Sequence, residues 1–403
     1  MEQTDQQASL AQRLREVALL FLKIGTTGFG GPAVTIAMME DEVVGRRGWL
    51  SRDYFLDLVG STNLIPGPNA AEMAIHIGYL RAGWMGLITA GVCFIVPAAL
   101  LTTALAWAYV RYGALPQVAP FLYGAKPAVL AVIISALWRL GKTAAKGWQL
   151  LLIGLVATLA SLLGANEILA LFSCGLLGMT WLCLAGGADP SQRSGKANAA
   201  LWLAPGTLFG GGRAVAGAVL AASATGAAVV SLWDLGLFFL KIGAVLYGSG
   251  YVLVALLEGG LVHGHGWLSQ PQLLDAIAAG QFTPGPLFSS AAFVGYLLRG
   301  LPGAAVATTG IFLPSFAFVA VLSPFVPRLR RSRWTAAFLD AINISSLGLM
   351  AAVTLKLAQT TLRAWPAWVI ALLAAGAGLR WKVNSTWLVL GGAALGWGLS
   401  RVA

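Results

Sequence analysis

The sequence predicts an all-α polytopic integral membrane protein made of two inverted-topology repeats, with broken, re-entrant helices at two Pro-Gly-Pro segments. Three observations predict it. The 403 residues are 58% hydrophobic and only 10% charged, whereas a soluble domain carries about 25% charged residues. Apolar windows near the ~20 residues that span a bilayer recur along the chain. Rare residues also return in register. Residue n of the first half pairs with n + 218 of the second, as Pro66-Gly67-Pro68 with Pro284-Gly285-Pro286.

Residues 1–16 are polar, carry Arg13 and Arg15, and read as a cytoplasmic N-terminal segment. They lack the apolar core and cleavage site of a signal peptide. Residues 17–186 form the first repeat, 187–235 a linker with a connecting span at 213–231, and 236–403 the second repeat. Within the first repeat, 17–39 are apolar but interrupted between Gly25 and Pro32, which predicts two half-helices. Residues 43–60 read as a loop and an amphipathic helix with Ser51 as N-cap. The Pro-Gly-Pro segment at 61–79 is too short and broken for an ordinary span. Clearer spans follow at 86–110, 118–138, 149–164 and 167–186.

The pattern restarts at residue 236. Phe21-Leu22-Lys23-Ile24-Gly25 returns as Phe239-Leu240-Lys241-Ile242-Gly243, and Gly48-Trp49-Leu50-Ser51 as Gly266-Trp267-Leu268-Ser269. Glu40 returns as Glu258 and Leu56-Asp57 as Leu274-Asp275. From Gly78, which pairs with Gly295, the offset is 217.

Basic residues set the orientation of the halves. Arg111 alone follows the Pro97 span, whereas Arg328, Arg330, Arg331 and Arg333 follow the Pro314 span. Arg139, Lys142 and Lys146 face Lys356 and Arg363, a weaker contrast. The loop with Arg46, Arg47 and Arg52 becomes one with His263 and His265. Cytoplasmic loops collect Lys and Arg, so equivalent loops lie on opposite sides and the repeats are inverted. The net charge of +11 fits such loops, and also the attraction of an anion. No basic patch carries interleaved aromatics at groove-like spacing, so nucleic acid is not an expected partner. Cys93, Cys174 and Cys183 lack the spacing of a disulfide or zinc framework and read as packing residues.

Phe29-Gly30-Gly31-Pro32, Gly48-Trp49-Leu50-Ser51, Leu64-Ile65-Pro66-Gly67-Pro68-Asn69, Ile75-His76-Ile77-Gly78-Tyr79 and Arg81-Ala82-Gly83-Trp84, with Gln281-Phe282-Thr283-Pro284-Gly285-Pro286, resemble the chromate ion transporter family in its long-chain, two-domain form. The resemblance runs from about residue 17 to the end. It implies multi-pass residence in a bacterial inner membrane and export of chromate coupled to the proton-motive force, with chromate resistance as the outcome. Sulfate is a related anion. The bilayer and, as a candidate, a second copy in a homodimer are the other partners. One departure stands out: Gly30-Gly31-Pro32 becomes Gly248-Ser249-Gly250, so the half-sites differ chemically.

Candidate substrate-binding residues follow from the breaks. Pro-Gly-Pro cannot continue a helix, and a helix starting beyond it aims free amides forward. Pro66, Gly67, Pro68, Pro284, Gly285 and Pro286 are therefore candidates, with Gly30, Gly31 and Gly248 at the other breaks. Asn63, Asn69, Gln281 and Thr283 offer hydrogen bonds beside them. Lys23 and Lys241 match in the repeats and would balance a dianion; the competing reading is that they snorkel to the interface. Glu40 and Glu258 read as acids that take up a proton or pair with the lysines, or as helix-end caps. Glu72 and His76, four apart on one helix face, read as a proton-coupling pair or as a structural hydrogen bond.

A secondary transporter of a tetrahedral oxyanion is the leading function. A sulfate or other oxyanion transporter, or an anion channel on the same repeats, is the alternative. No Gly-x-x-x-x-Gly-Lys-Ser/Thr loop supports ATP hydrolysis. No haem, flavin, iron–sulfur or metal ligand set is visible, so neither an enzyme nor a cofactor is expected.

Overall fold

The computed structural model describes residues 9–62, 64–185, 230–248, 250–322, 332–381 and 383–399. Asn63, Ser249, Lys382, residues 213–229 of the connecting span expected at 213–231, and residues 328–331 lie outside them. The first repeat runs α1 (Leu10–Thr27), α2 (Pro32–Glu40), a π-helical turn (Asp41–Arg46), α3 (Arg52–Thr62), α4 (Asn69–Tyr112), α5 (Ala119–Ala144), α6 (Trp148–Leu162) and α7 (Glu167–Ala185). The second runs α8 (Leu232–Val245), a 3-10 turn (Gly250–Val252), α9 (Leu253–Leu257), a π-helical turn (Glu258–Gly264), α10 (Gln270–Phe282), a 3-10 turn (Leu287–Ser289), α11 (Ser290–Leu322), α12 (Arg333–Thr361), α13 (Trp365–Arg380) and α14 (Ser385–Leu399).

Local sequence explains most boundaries. Ser51 accepts from the Tyr54 amide ahead of α3. Its counterpart Ser269 forms a full capping box with Gln272 ahead of α10. The first-half interruption ends α1 at Thr27, and Pro32 opens α2 at its first position, where a missing N–H costs nothing. The loop expected from residue 43 is instead helical through Arg46, because α2 continues as a π turn. The repeat preserves that turn at Glu258–Gly264. α4 kinks where Ala82 has φ −140° and Gly83 φ 61°; α11 kinks identically at Arg299 and Gly300, φ −143° and 63°. Only glycine enters that left-handed region freely. Each half-helix therefore leaves its break, reaches a face of the bundle and reverses into a full span.

Among the described residues, five helices are long and apolar enough to cross a membrane: α4, α5, α7, α11 with its preceding turn, and α12. Leu100, Leu177, Leu301 and Leu372 are exposed, which suits lipid as the outer solvent. Exposed Trp148, Trp334, Trp365, Trp381 and Trp387 sit near helix ends, where indoles favour the interface. Inside, small residues let backbones approach, as Gly124 against Gly392 and Gly396, and Gly154 against Gly348.

Cross-repeat bonds establish the inversion. Lys146, just before α6, pairs with Asp340 near the start of α12 at 2.8 Å. Further along both helices, Thr158 donates to the Gly348 carbonyl at 3.0 Å and Lys356 to the Ser161 carbonyl at 3.3 Å. α6 and α12 are therefore parallel. α5 turns back into α6 through residues 145–147, so α5 runs against α12, its own counterpart. The end of the bundle with Lys142 and Lys146 also receives Arg81, Arg333 and Arg380; it is the basic face. Arg111 and Arg363 mark the opposite face.

Candidate functional site

The two halves are stitched together at their breaks. Gly67 N–H donates to the Leu246 carbonyl at 2.8 Å, and Gly285 N–H donates to the Gly28 carbonyl at 3.0 Å. These bonds are equivalent under the repeat, since Gly28 matches Leu246 and Gly67 matches Gly285. Each Pro-Gly-Pro of one half thus closes on the first break of the other half. Gly67 and Gly285 have φ of 144° and 87°, a region glycine alone reaches without strain. Their amides are engaged by carbonyls, so the amides at the breaks that remain for a ligand belong to the following helical turns.

A cavity of about 460 Å³ lies at this crossing. Gly30–Ala33 line it from the start of α2 and Pro68–Ala70 from the start of α4. Gly250 and Tyr251 line it from the turn before α9, and Pro286–Phe288 from the turn before α11. Four helical N-termini therefore converge on one space. Their first-turn amides lack intrahelical acceptors, and each end carries partial positive charge. Arg139 of α5 also lines the cavity, beside Leu140 and Thr143. No acidic side chain lines it among the described residues. The charge distribution therefore favours an anion. A second space of about 540 Å³ shares Asn69, Leu140, Thr143 and Gly248 and continues past Asn343 to the Lys146–Asp340 pair on the basic face.

The candidates separate into three groups. Gly30, Gly31, Pro68, Asn69, Gly248, Gly285 and Pro286 line the cavity. Gln281 and Thr283 line a small recess behind it with Tyr251 and Ser385. There Tyr251 hydrogen-bonds Gln281 and Ser385, and the Thr283 and Ser289 hydroxyls lie 3.1 Å apart. Pro66 and Pro284 are the buried residues that hold the turns.

Lys23 and Lys241 are not among the residues lining the cavity; they sit on exposed faces of α1 and α8. Lys23 pairs with Glu42 at 2.6 Å, and Arg46 joins that carboxylate at 3.2 Å. The pairing with Glu42, rather than Glu40, was not legible from the repeat, because Glu42 corresponds to Gly260. Glu40 meets Arg52 at 3.3 Å. Its counterpart Glu258 has no exposed surface and takes Gln270, the counterpart of Arg52, at 3.2 Å and His263 at 3.2 Å. Glu72 is fully buried directly behind Gly67 and beside Ser315 of α11, with His76 one turn further along α4.

Sequence reasoning missed Arg139 and Tyr251 as site residues. Arg139 was legible: Arg139-Leu140 with Thr143 returns as Lys356-Leu357 with Thr360 at the constant offset of 217. Basic residues near a helix end serve equally as topology markers, and that role masked this one.

An inverted pair of membrane repeats with discontinuous helices meeting at an anion-favouring cavity is an architecture of membrane transport proteins. The comparisons give the family. The family model described as chromate transporter matches residues 15–179 and again residues 233–397, and the chain belongs to that family. It is similar to a chromate transport protein of Cupriavidus metallidurans, 32% identical over 95% of this chain and 92% of the relative. A chromate transport protein of Pseudomonas aeruginosa is 31% identical over 94% of this chain and 90% of its own length. The transporter YwrA of Bacillus subtilis, 30% identical, covers 32% of this chain and 74% of itself. No solved structure matches.

Proposed function

We propose that this protein is a secondary active transporter that exports chromate across the bacterial inner membrane, coupled to the proton-motive force and conferring chromate resistance. The cavity carries the reading: four helical N-termini and the Arg139 guanidinium face one space that no acidic side chain lines among the described residues. A tetrahedral dianion fits such donors, because each oxygen accepts hydrogen bonds and the whole ion answers to net positive charge. The basic face is cytoplasmic by the distribution of Lys and Arg. The cavity leads to that face past Thr143 and Lys146, as collection from the cytoplasm requires. Rocking of the halves about the crossed breaks would alternate access. Glu72, buried behind Gly67, supplies a carboxyl through which a proton can be coupled to the state of the break.

Uptake of labelled chromate into inverted vesicles tests the reading, with sulfate and molybdate as competitors. Saturable uptake that a pH gradient drives uphill is expected, and Glu72→Gln should retain chromate binding while losing that uphill drive. Uptake that only follows the chromate gradient makes the protein an anion channel. Sulfate competing as well as unlabelled chromate makes it a general oxyanion carrier.

A further inference from the structure

The repeat lets the closed side be read from the open one. On the basic face, the path from the cavity is lined by Leu140 and Asn343. Their counterparts at the opposite face are Leu357 and Lys126. Leu140 is half-buried in the path, whereas Leu357 has no exposed surface. Asn343 lines open space, whereas Lys126 is tied up. Its Nζ lies 3.3 Å from Asp275 Oδ2, and the Tyr109 hydroxyl donates to the same oxygen at 3.0 Å. Asp275 is 3% exposed at its side chain, while its counterpart Asp57 is exposed. Lys126 and Tyr109 belong to the first repeat and Asp275 to the second, so the bonds tie α5 and α4 to α10.

We propose that Lys126, Asp275 and Tyr109 form the outer gate, a latch that holds the path shut at the face opposite the basic one. This rests on the alternating-access reading above. A carboxylate with so little exposed surface is stable only while its partners stay. Opening toward the outer face must release the Lys126 and Tyr109 bonds together and return Asp275 to the exposure that Asp57 already has. The latch therefore gives the two access states different free energies, and removing it shifts their populations toward the outward-open one.

The test uses the full chain without its three native cysteines, carrying Leu357→Cys or Leu140→Cys as reporter. Whole cells report the outer face and inverted vesicles the basic face, each with a membrane-impermeant maleimide. Asp275→Asn should raise outer labelling at Leu357→Cys by about tenfold and lower basic-face labelling at Leu140→Cys in parallel. Lys126→Gln should act in the same direction. Unchanged labelling at both reporters, with normal protein abundance, would overturn the gate. Should Asp275→Asn fail to accumulate, Tyr109→Phe removes one hydrogen bond and no charge. It should raise outer labelling about twofold to threefold, and no rise overturns the proposal. The readout needs no substrate, so a protein that proved not to carry chromate would still show or lack this gate.

Discussion

The two Pro-Gly-Pro breaks share a cross-repeat amide bond but not a setting. Both amides cross to the other repeat, yet what stands behind them differs. Behind Gly67 are the Glu72 carboxyl and the Ser315 hydroxyl; near Gly285 are the Ala98 methyl and the Gly25 and Phe94 carbonyls. The position of Glu72 is taken by Ser290 in the second half. The first breaks differ too. Pro32 launches α2 directly, whereas Gly250 opens a 3-10 turn before α9. Symmetry thus builds the cradle, and departures from it place the titratable chemistry in one half.

The largest effect that would sharpen this comparison comes from adding a methyl group at each glycine. At Gly67 the methyl would overlap the Glu72 carboxyl and the Ser315 hydroxyl, on top of strain of ~1–3 kcal/mol for a side chain at that φ. Gly67→Ala should cut chromate uptake into vesicles about 100-fold. Gly285→Ala carries the strain, but its nearest neighbours stand at 3.2 Å and 3.4 Å, so a loss of about tenfold is expected. Equal losses would mean that the polar backing of the first break is immaterial.

Next in size is the pair Arg139 and Lys356. Arg139 lines the cavity, while Lys356 is engaged by the Ser161 carbonyl. A hydrogen bond to a charged group is worth about 1.5–3 kcal/mol. Arg139→Gln should therefore raise the chromate concentration for half-maximal uptake at the basic face by at least about tenfold. Arg139→Lys should rescue it in part, having the charge without the fork. Lys356→Gln should change the same quantity less than about threefold. A larger effect at Lys356 would place the second cation in the site as well.

The smallest effects are expected at Lys23 and Lys241. Exposed ion pairs contribute about 0–1 kcal/mol, and Lys23 is 51% exposed at its side chain. Lys23→Gln and Lys241→Gln should each lower initial chromate flux less than about twofold at equal protein abundance. A much greater fall in both would return the lysines to the substrate path.

The repeat, the breaks, the half-helices and the inversion were legible because they rest on proline, glycine and the Lys and Arg content of loops, which act locally. Lys23 and Arg139 show where legibility stopped. Helical periodicity sets a residue's face, but which face meets the cavity depends on the partner repeat. Intramembrane charge drew attention to Lys23, yet its carboxylate partner stands on the π turn beyond α2, which no local pattern announced. Asp275 was visible as a repeat match to Asp57; that one is buried and the other exposed depends on which side of the molecule is open.

The crossed amide bonds at Gly67 and Gly285 also bear on biosynthesis. An unpaired backbone group in hydrocarbon costs several kcal/mol, and the acceptor for Gly67 belongs to a residue made about 180 positions later, at Leu246. As the ribosome delivers the chain, the first half must wait with its re-entrant turn unfinished until α8 has been inserted. The second half cannot finish alone either, since Gly285 needs Gly28. Either half made alone lacks one of these two acceptors, so a truncated product leaves a donor at its break without its cross-repeat partner.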